Sequence, residues 1–176
     1  MPNKHTFSIP PVRELVTKYA KGKIADPFAN ASKIGNVTND IDMQYDTDFH
    51  MDATDFLKML ESNAVDTVLY DPPYSPRQVS ECYKAHGKTV NMQTTQASYW
   101  SMQKKEIARI CKPGGIVITC AWNSGGIGNK YGFDIVEILL VSHGGWHNDT
   151  IVTVERKRLS QKGCRSFLFS DGEKIK

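Results

Sequence analysis

Val65-Asp66-Thr67-Val68-Leu69-Tyr70-Asp71-Pro72-Pro73-Tyr74 is the stretch on which the fold turns. Five of its first six residues are apolar, aromatic or β-branched, so 65–70 reads as a strand. Pro72 and Pro73 lack the N–H that an interior ladder needs, so the strand stops at Asp71. Beyond it, residues 84–96 are polar and without period and read as a mobile loop. Ala97 to Cys111 reads as a long helix, stopped by Lys112-Pro113-Gly114-Gly115. Ile116 to Trp122 is a nearly unbroken apolar run, the signature of a strand buried on both faces. Asn123 to Gly132 is a glycine-rich loop. Ile135–Val141 and Thr150–Val154 read as an antiparallel pair joined through 143–148.

Working toward the N-terminus, Ala53 to Leu60 is helical, with Phe56, Leu57 and Leu60 facing inward. Asp48–Asp52, Gly35–Ile41 and Ile24–Asp26 read as strands, the first of them brief. Val12 to Ala20 is a helix with Pro11 in its first turn, and residues 1–11 form an arm. Strands alternate with helices, so the fold class is α/β: a mostly parallel twisted sheet with a C-terminal antiparallel hairpin strand. Residues 1–160 are expected to form one domain and 161–176 a basic tail. In such sheets ligands sit beyond the carboxyl ends of the strands. Asp26, Asp40, Asp52 and Asp71 each fall at or just after a strand end, which gathers four acids at one edge.

The 176 residues suffice for one real core. No apolar run approaches the ~20 residues of a membrane span, and Met1–Ala20 lacks a signal-peptide core, so a cytoplasmic protein without membrane contact is expected. The four cysteines contain no C-x-x-C pair, which argues against a disulfide scaffold or a cysteine metal site. His143 and His147 have zinc-ligand spacing, but Gly144-Gly145 between them favours a turn, and no metal is expected. The net charge of +3 is uneven: residues 26–71 carry −8, residues 72–112 carry +5, and 156–176 carry +5. That pattern suits a small-molecule half beside a face for a polyanion.

The chemistry is concentrated at 71–74. The two prolines stiffen the turn, leaving the Asp71 carboxylate and the Asp71 and Pro72 carbonyls as acceptors beside the flat Tyr74 ring. A planar aromatic amine fits this arrangement, donating N–H groups to the acceptors while its ring stacks on Tyr74. The nitrogen lone pair can then turn toward an electrophile, so catalysis needs positioning and electrostatics and no covalent intermediate. Arg77, Lys84 and Lys88 follow the turn as candidate phosphate contacts. Tyr99, Trp100 and Met102 read as helix packing.

Asp71-Pro72-Pro73-Tyr74 resembles the signature of amino-methyltransferases that use S-adenosylmethionine (SAM), most familiar in DNA adenine-N6 methyltransferases. Ser8-Ile9-Pro10-Pro11 is similar to their segment flanking the methionine end of the cofactor. Asp26-Pro27-Phe28-Ala29-Asn30-Ala31-Ser32 is similar to their cofactor loop, with Asn30 and Ser32 where glycines are common. The resemblance covers about residues 8–155, most closely the compact methyltransferases of phages. It implies a Rossmann-like fold and SAM as cofactor. Pro10, Asp26, Pro27, Phe28, Ala29 and Asn30 would lie at its methionine part, Asp40 at the ribose, Asp52 and Ala53 at the adenine, and Asp71 beside it. Asp71, Pro72, Pro73 and Tyr74 would carry catalysis. The implied substrate is the N6 amine of adenine in DNA, with a flipped base. The alternatives are cytosine N4 in DNA, or guanine N2 or adenine N6 in RNA. No separate recognition domain is expected, so specificity would come from 75–96, the 123–132 loop, the tail, or a second subunit such as a homodimer partner.

Overall fold

A computed structural model describes residues 6–87, 89, 97–145 and 148–159. A 3-10 turn at Thr6–Ser8 leads into α1 (Pro10–Tyr19). Then follow β1 (Ile24–Asp26), β2 (Val37–Thr38), α2 (Ala53–Met59), β3 (Val65–Tyr70), α3 (Pro76–Ala85) and α4 (Ala97–Ile110). β4 (Cys111–Ala121), a 3-10 turn at Asn129–Tyr131, β5 (Phe133–Val141) and β6 (Thr150–Lys157) complete the described chain. The sheet order is β2-β1-β3-β4-β6-β5. β2, β1, β3 and β4 pair in parallel, and β6 is antiparallel to both β4 and β5. This is the doubly wound sheet with a closing hairpin that the alternation of elements predicts.

The sheet buries both faces. On one, α1 lays Val12, Leu15 and Val16 against Leu69, Ile118, Cys120, Val152 and Val154. On the other, Phe56 and Leu57 of α2 and Ile107 and Ile110 of α4 pack on Val68, Tyr70 and Val117. Each such side chain, at about 1.5–3 kcal/mol for full burial, outweighs what the solvated Lys18–Glu137 pair contributes to holding α1. The hairpin's outer strand is less covered: Ile135, Ile138 and Leu140 of β5 are exposed at the sheet edge. Among the described residues, no helix is long and apolar enough to cross a membrane.

Four expectations change. The 35–41 strand shrinks to Val37–Thr38 because polar side chains take over the backbone on either side. Asn36 Oδ1 accepts from Ile24 N at 2.8 Å, and Asn39 exchanges bonds with Met51. The 48–52 strand reduces to one bridge between Asn39 and Phe49. Residues 76–85 form α3, capped by Ser75 with Pro76 in its first turn, so Lys84 and Ala85 of the loop expected over 84–96 are helical, and 90–96 lie outside the described residues. Cys111 pairs with Val65, so β4 takes in Cys111 and the 112–115 segment, where the sequence reading ends a helix. The tail at 161–176 and Lys88 lie outside the described residues.

Candidate active site

The stop at the end of β3 is a built turn. Pro73 gives its carbonyl to the Trp100 indole N–H at 2.9 Å, and Tyr74 N donates to Gln78 Oε1 at 2.6 Å. The Tyr74 hydroxyl donates to Asp71 Oδ1 at 2.6 Å, and Thr6 also hydrogen-bonds Asp71. Burial pushes the Asp71 carboxyl above its ordinary range, and these two donors pull it back. The Tyr74 ring meets Trp122 edge-on at 5.7 Å. Trp100 therefore does more than pack α4: it ties down the 71–74 turn. Tyr99 is buried, while Met102 is exposed.

Three cavities converge on this turn. One, of about 230 Å³, is walled by Pro27, Phe28, Asn30, Asp40, Asp52, Ala53 and the whole 71–74 turn, with Tyr83 and Tyr99 behind. A second, of about 260 Å³, lies along Phe7, Ala29, Asn30, Ser32 and Arg13. These two share Thr6, Phe28, Asn30 and Asp71, so they form two ends of one trough. The third, of about 510 Å³, lies across the turn and shares only Pro72, Pro73 and Tyr74 with the first. Its other walls include Trp100, Lys104, Asn123, Gly126, Lys130 and Tyr131.

The trough has Asp40 and Asp52 at one end and Asp71 where its two halves meet. Asp40 is buried; its oxygens accept from Asn30 N at 2.8 Å and Asp42 N at 2.9 Å. Burial raises its pKa and these backbone donors oppose the rise. Asp52 caps α2, accepting from Thr54 N at 2.8 Å, and its other oxygen accepts from the Tyr83 hydroxyl. Ala53 stands behind it at the first position of the helix. Asn30 explains how the loop dispenses with glycine: its φ of 48° is left-handed, a conformation that asparagine tolerates better than most residues.

Two sequence expectations fail. Pro10 is exposed at the start of α1 and borders a groove with Glu14 and Lys18 that meets the trough only at Ser8 and Arg13, while Thr6, Phe7, Ser8 and Arg13 of the same segment line the trough itself. Proline's fit to a first helical position accounts for its place. Asp26 is fully buried under the 27–32 loop and does not line the trough. Its Oδ1 accepts from Phe28 N at 3.2 Å, and its Oδ2 has no partner. Burial pushes its pKa to about 8, with the Asp71 and Asp40 charges adding to the rise.

Arg77 and Lys84 sit on the exposed side of α3, Arg77 paired with Glu81 at 2.8 Å. Lys104 and Lys130 are the cations that line the third cavity. No periodicity marks either. His143 bonds Thr150 Oγ1 through Nε2 at 2.8 Å; His147 lies outside the described residues. Among the described residues, no group of three or more His, Cys, Asp or Glu side chains is placed to hold a metal ion.

No protein-family model matches the chain, and no curated protein matches it. Solved structures do. A SAM-dependent methyltransferase from Archaeoglobus fulgidus superposes with a TM-score of 0.61 at 8% identity, over 88% of this chain and 95% of that one. A SAM-dependent methyltransferase from Methanosarcina mazei gives 0.53 at 10% identity, over 82% and 97%. TrmN from Thermus thermophilus gives 0.51 at 16% identity, over 84% of this chain and 47% of that one. At these identities the likeness concerns architecture, and the chain has the Rossmann-like fold of the SAM-dependent methyltransferases.

Proposed function

We propose that the chain transfers a methyl group from SAM to the exocyclic N6 amine of adenine in DNA. The observation that carries this reading is the Asp71–Tyr74 turn standing between a trough and a separate cavity. The trough fits SAM: it is elongated, with a helix-capping acid and Asp40 at one end and the 29–32 loop with Arg13 at the other. Asp52 and Ala53 would hold the adenine, Asp40 the ribose, and the 27–30 loop and Arg13 the amino-acid end. When bound, SAM supplies an electrophilic methyl group on a sulfonium.

The residues of this chain do the rest by positioning. Asp71 accepts an N–H of the amine and stabilises the positive charge that grows on nitrogen as the new bond forms. A carboxylate offers about four lone-pair sites, so Asp71 can accept from the amine while still holding the Tyr74 hydroxyl. Tyr74 offers its ring to the base, and stacking of this kind is worth about 1–3 kcal/mol. That offsets part of the few kcal/mol needed to take a base out of a duplex. Lys104 and Lys130 give the acceptor cavity the positive potential that a nucleotide requires.

The test is transfer of labelled methyl from SAM to DNA and to RNA, with nucleoside analysis of the digested products. N6-methyladenine from DNA is the expected result. Label in RNA alone, or on cytosine or guanine, overturns the substrate while keeping amine methylation; label in neither overturns the reading. A second expectation concerns the cofactor. Asp40→Ala removes a carboxylate from two hydroxyls, an interaction of about 1.5–3 kcal/mol. The SAM dissociation constant should rise about ten- to a hundredfold by calorimetry. An unchanged constant takes Asp40 off the ribose.

A further inference from the structure

Glu155 has no part in the chemistry above, yet it is fully buried on β6, in register with Val117 of β4 and Ile135 of β5. Its carboxylate is spent on a loop. Oε2 accepts from Ile127 N at 2.5 Å and Oε1 from Gly128 N at 2.8 Å. The loop is shaped to receive it. Gly126 has a φ of 46°, and a Cβ there would run into the Glu155 carboxylate. The far end of the same loop is tied down separately, where the Tyr131 hydroxyl meets Ser101 Oγ at 2.9 Å. Gly126, Ile127, Lys130 and Tyr131 of this anchored loop wall the acceptor cavity, and Lys104 of α4, which also lines it, lies within electrostatic reach of Glu155.

We propose that Glu155 is a positioning residue that holds the 126–128 wall of the acceptor cavity in its binding shape before any substrate arrives. The inference rests on reading that cavity as the seat of the target base. A glycine-rich segment left to itself would sample many conformations, and affinity for the acceptor would fall by the fraction of time the wall is in place. The buried carboxylate removes that loss, since two charge-assisted bonds to adjacent N–H groups fix both position and orientation of the backbone. Glu155 does not line the trough, so the effect falls on the acceptor side.

The experiment has two arms on the full chain. In the first, hydrogen exchange is followed at the Ile127 and Gly128 amides without substrate. They should be protected, and Glu155→Gln, which can accept at only one of its two positions, should speed their exchange by at least about tenfold, the scale of one lost bond to a charged group. Unprotected amides in the unsubstituted protein overturn the proposal. In the second arm, methyl transfer is measured on an adenine-containing single-stranded DNA oligonucleotide. Glu155→Gln should raise KM for the oligonucleotide about ten- to a hundredfold, with kcat within about threefold and SAM affinity unchanged. Gly126→Ala, which displaces the carboxylate from the loop side, should reproduce the same split and serves if Glu155→Gln does not fold. A fall in kcat at constant KM, or an equal loss of SAM affinity, overturns the proposal. Should the unsubstituted protein methylate no nucleic acid, the function proposed above fails, and the exchange arm alone decides whether Glu155 pins the wall.

Discussion

Asp71→Ala is expected to lower methyl transfer by about 10²–10³-fold, the scale for losing one preorganised electrostatic group, while SAM affinity stays within about threefold. The separation follows from geometry. Asp71 borders the trough, but under the proposed function the ribose and adenine contacts would fall to Asp40, Asp52 and Ala53, which also line it and which the substitution leaves in place. Single-turnover rates at saturating SAM and acceptor, with calorimetry for SAM, measure both halves. Near-normal turnover would remove Asp71 from the chemistry, and a parallel collapse of SAM binding would make it a cofactor ligand instead. Because burial raises the Asp71 pKa, the acid limb of the rate profile should lie above the ordinary range for an aspartate. Asp71 must be ionised to stabilise the developing ammonium, so activity is lost as pH falls through that limb. Tyr74→Phe removes the hydroxyl that donates to Asp71 and should shift the limb further upward.

Asp26 should produce the largest change in stability. In the unfolded chain it ionises near 3.8, whereas in the fold it holds its proton up to about 8. Between those values the folded state binds more protons than the unfolded state, so stability falls as pH rises from about 4 to about 8. At about 1.4 kcal/mol per pKa unit, the full change is on the order of 6 kcal/mol. Asp26→Asn keeps the acceptor for Phe28 N and carries no ionisable group, so its denaturation free energy should decline far less over the same range. Urea titrations of both proteins at pH 5 and pH 8 make the comparison. Parallel declines would show that Asp26 is ionised in the fold and that its unpartnered oxygen has found a donor.

Much of this architecture was legible in the sequence wherever apolar pattern and backbone chemistry agree. Ile24–Asp26 and Val65–Tyr70 are strands with the expected bounds, and the 71–74 turn is where two prolines require it. Asp40, Asp52, Ala53 and Asp71 gather on one trough because each follows a strand end or opens a helix beside one. What escaped notice depends on partners distant in sequence. α3 is amphipathic through polar and aromatic residues that line the trough, such as Gln78 and Tyr83, and the sequence reading gives 76–83 no element and takes 84 onward as a loop. Asp26 and Asp40 are both acids at strand ends, and only the path of the 27–32 loop buries the first and opens the second to the cavity. Glu155 looks like one charge in a strand ending in Arg and Lys; its partners are backbone amides 27 and 28 residues away.

The narrow septum formed by Pro72, Pro73 and Tyr74 has a consequence for ligand design. Two compartments with otherwise different walls meet across three residues, so groups held on either side lie about one side chain apart. A molecule with an adenosine-like arm in the trough, a short linker past the turn and a flat heteroaromatic arm over Tyr74 would lose its translational freedom once for two sets of contacts. Linker length becomes the decisive variable: too short and one arm is pulled from its wall, too long and the effective concentration of the second arm falls. The stiffness that two adjacent prolines give the septum makes that span a fixed dimension of the protein, against which a series of linkers can be measured as with a ruler.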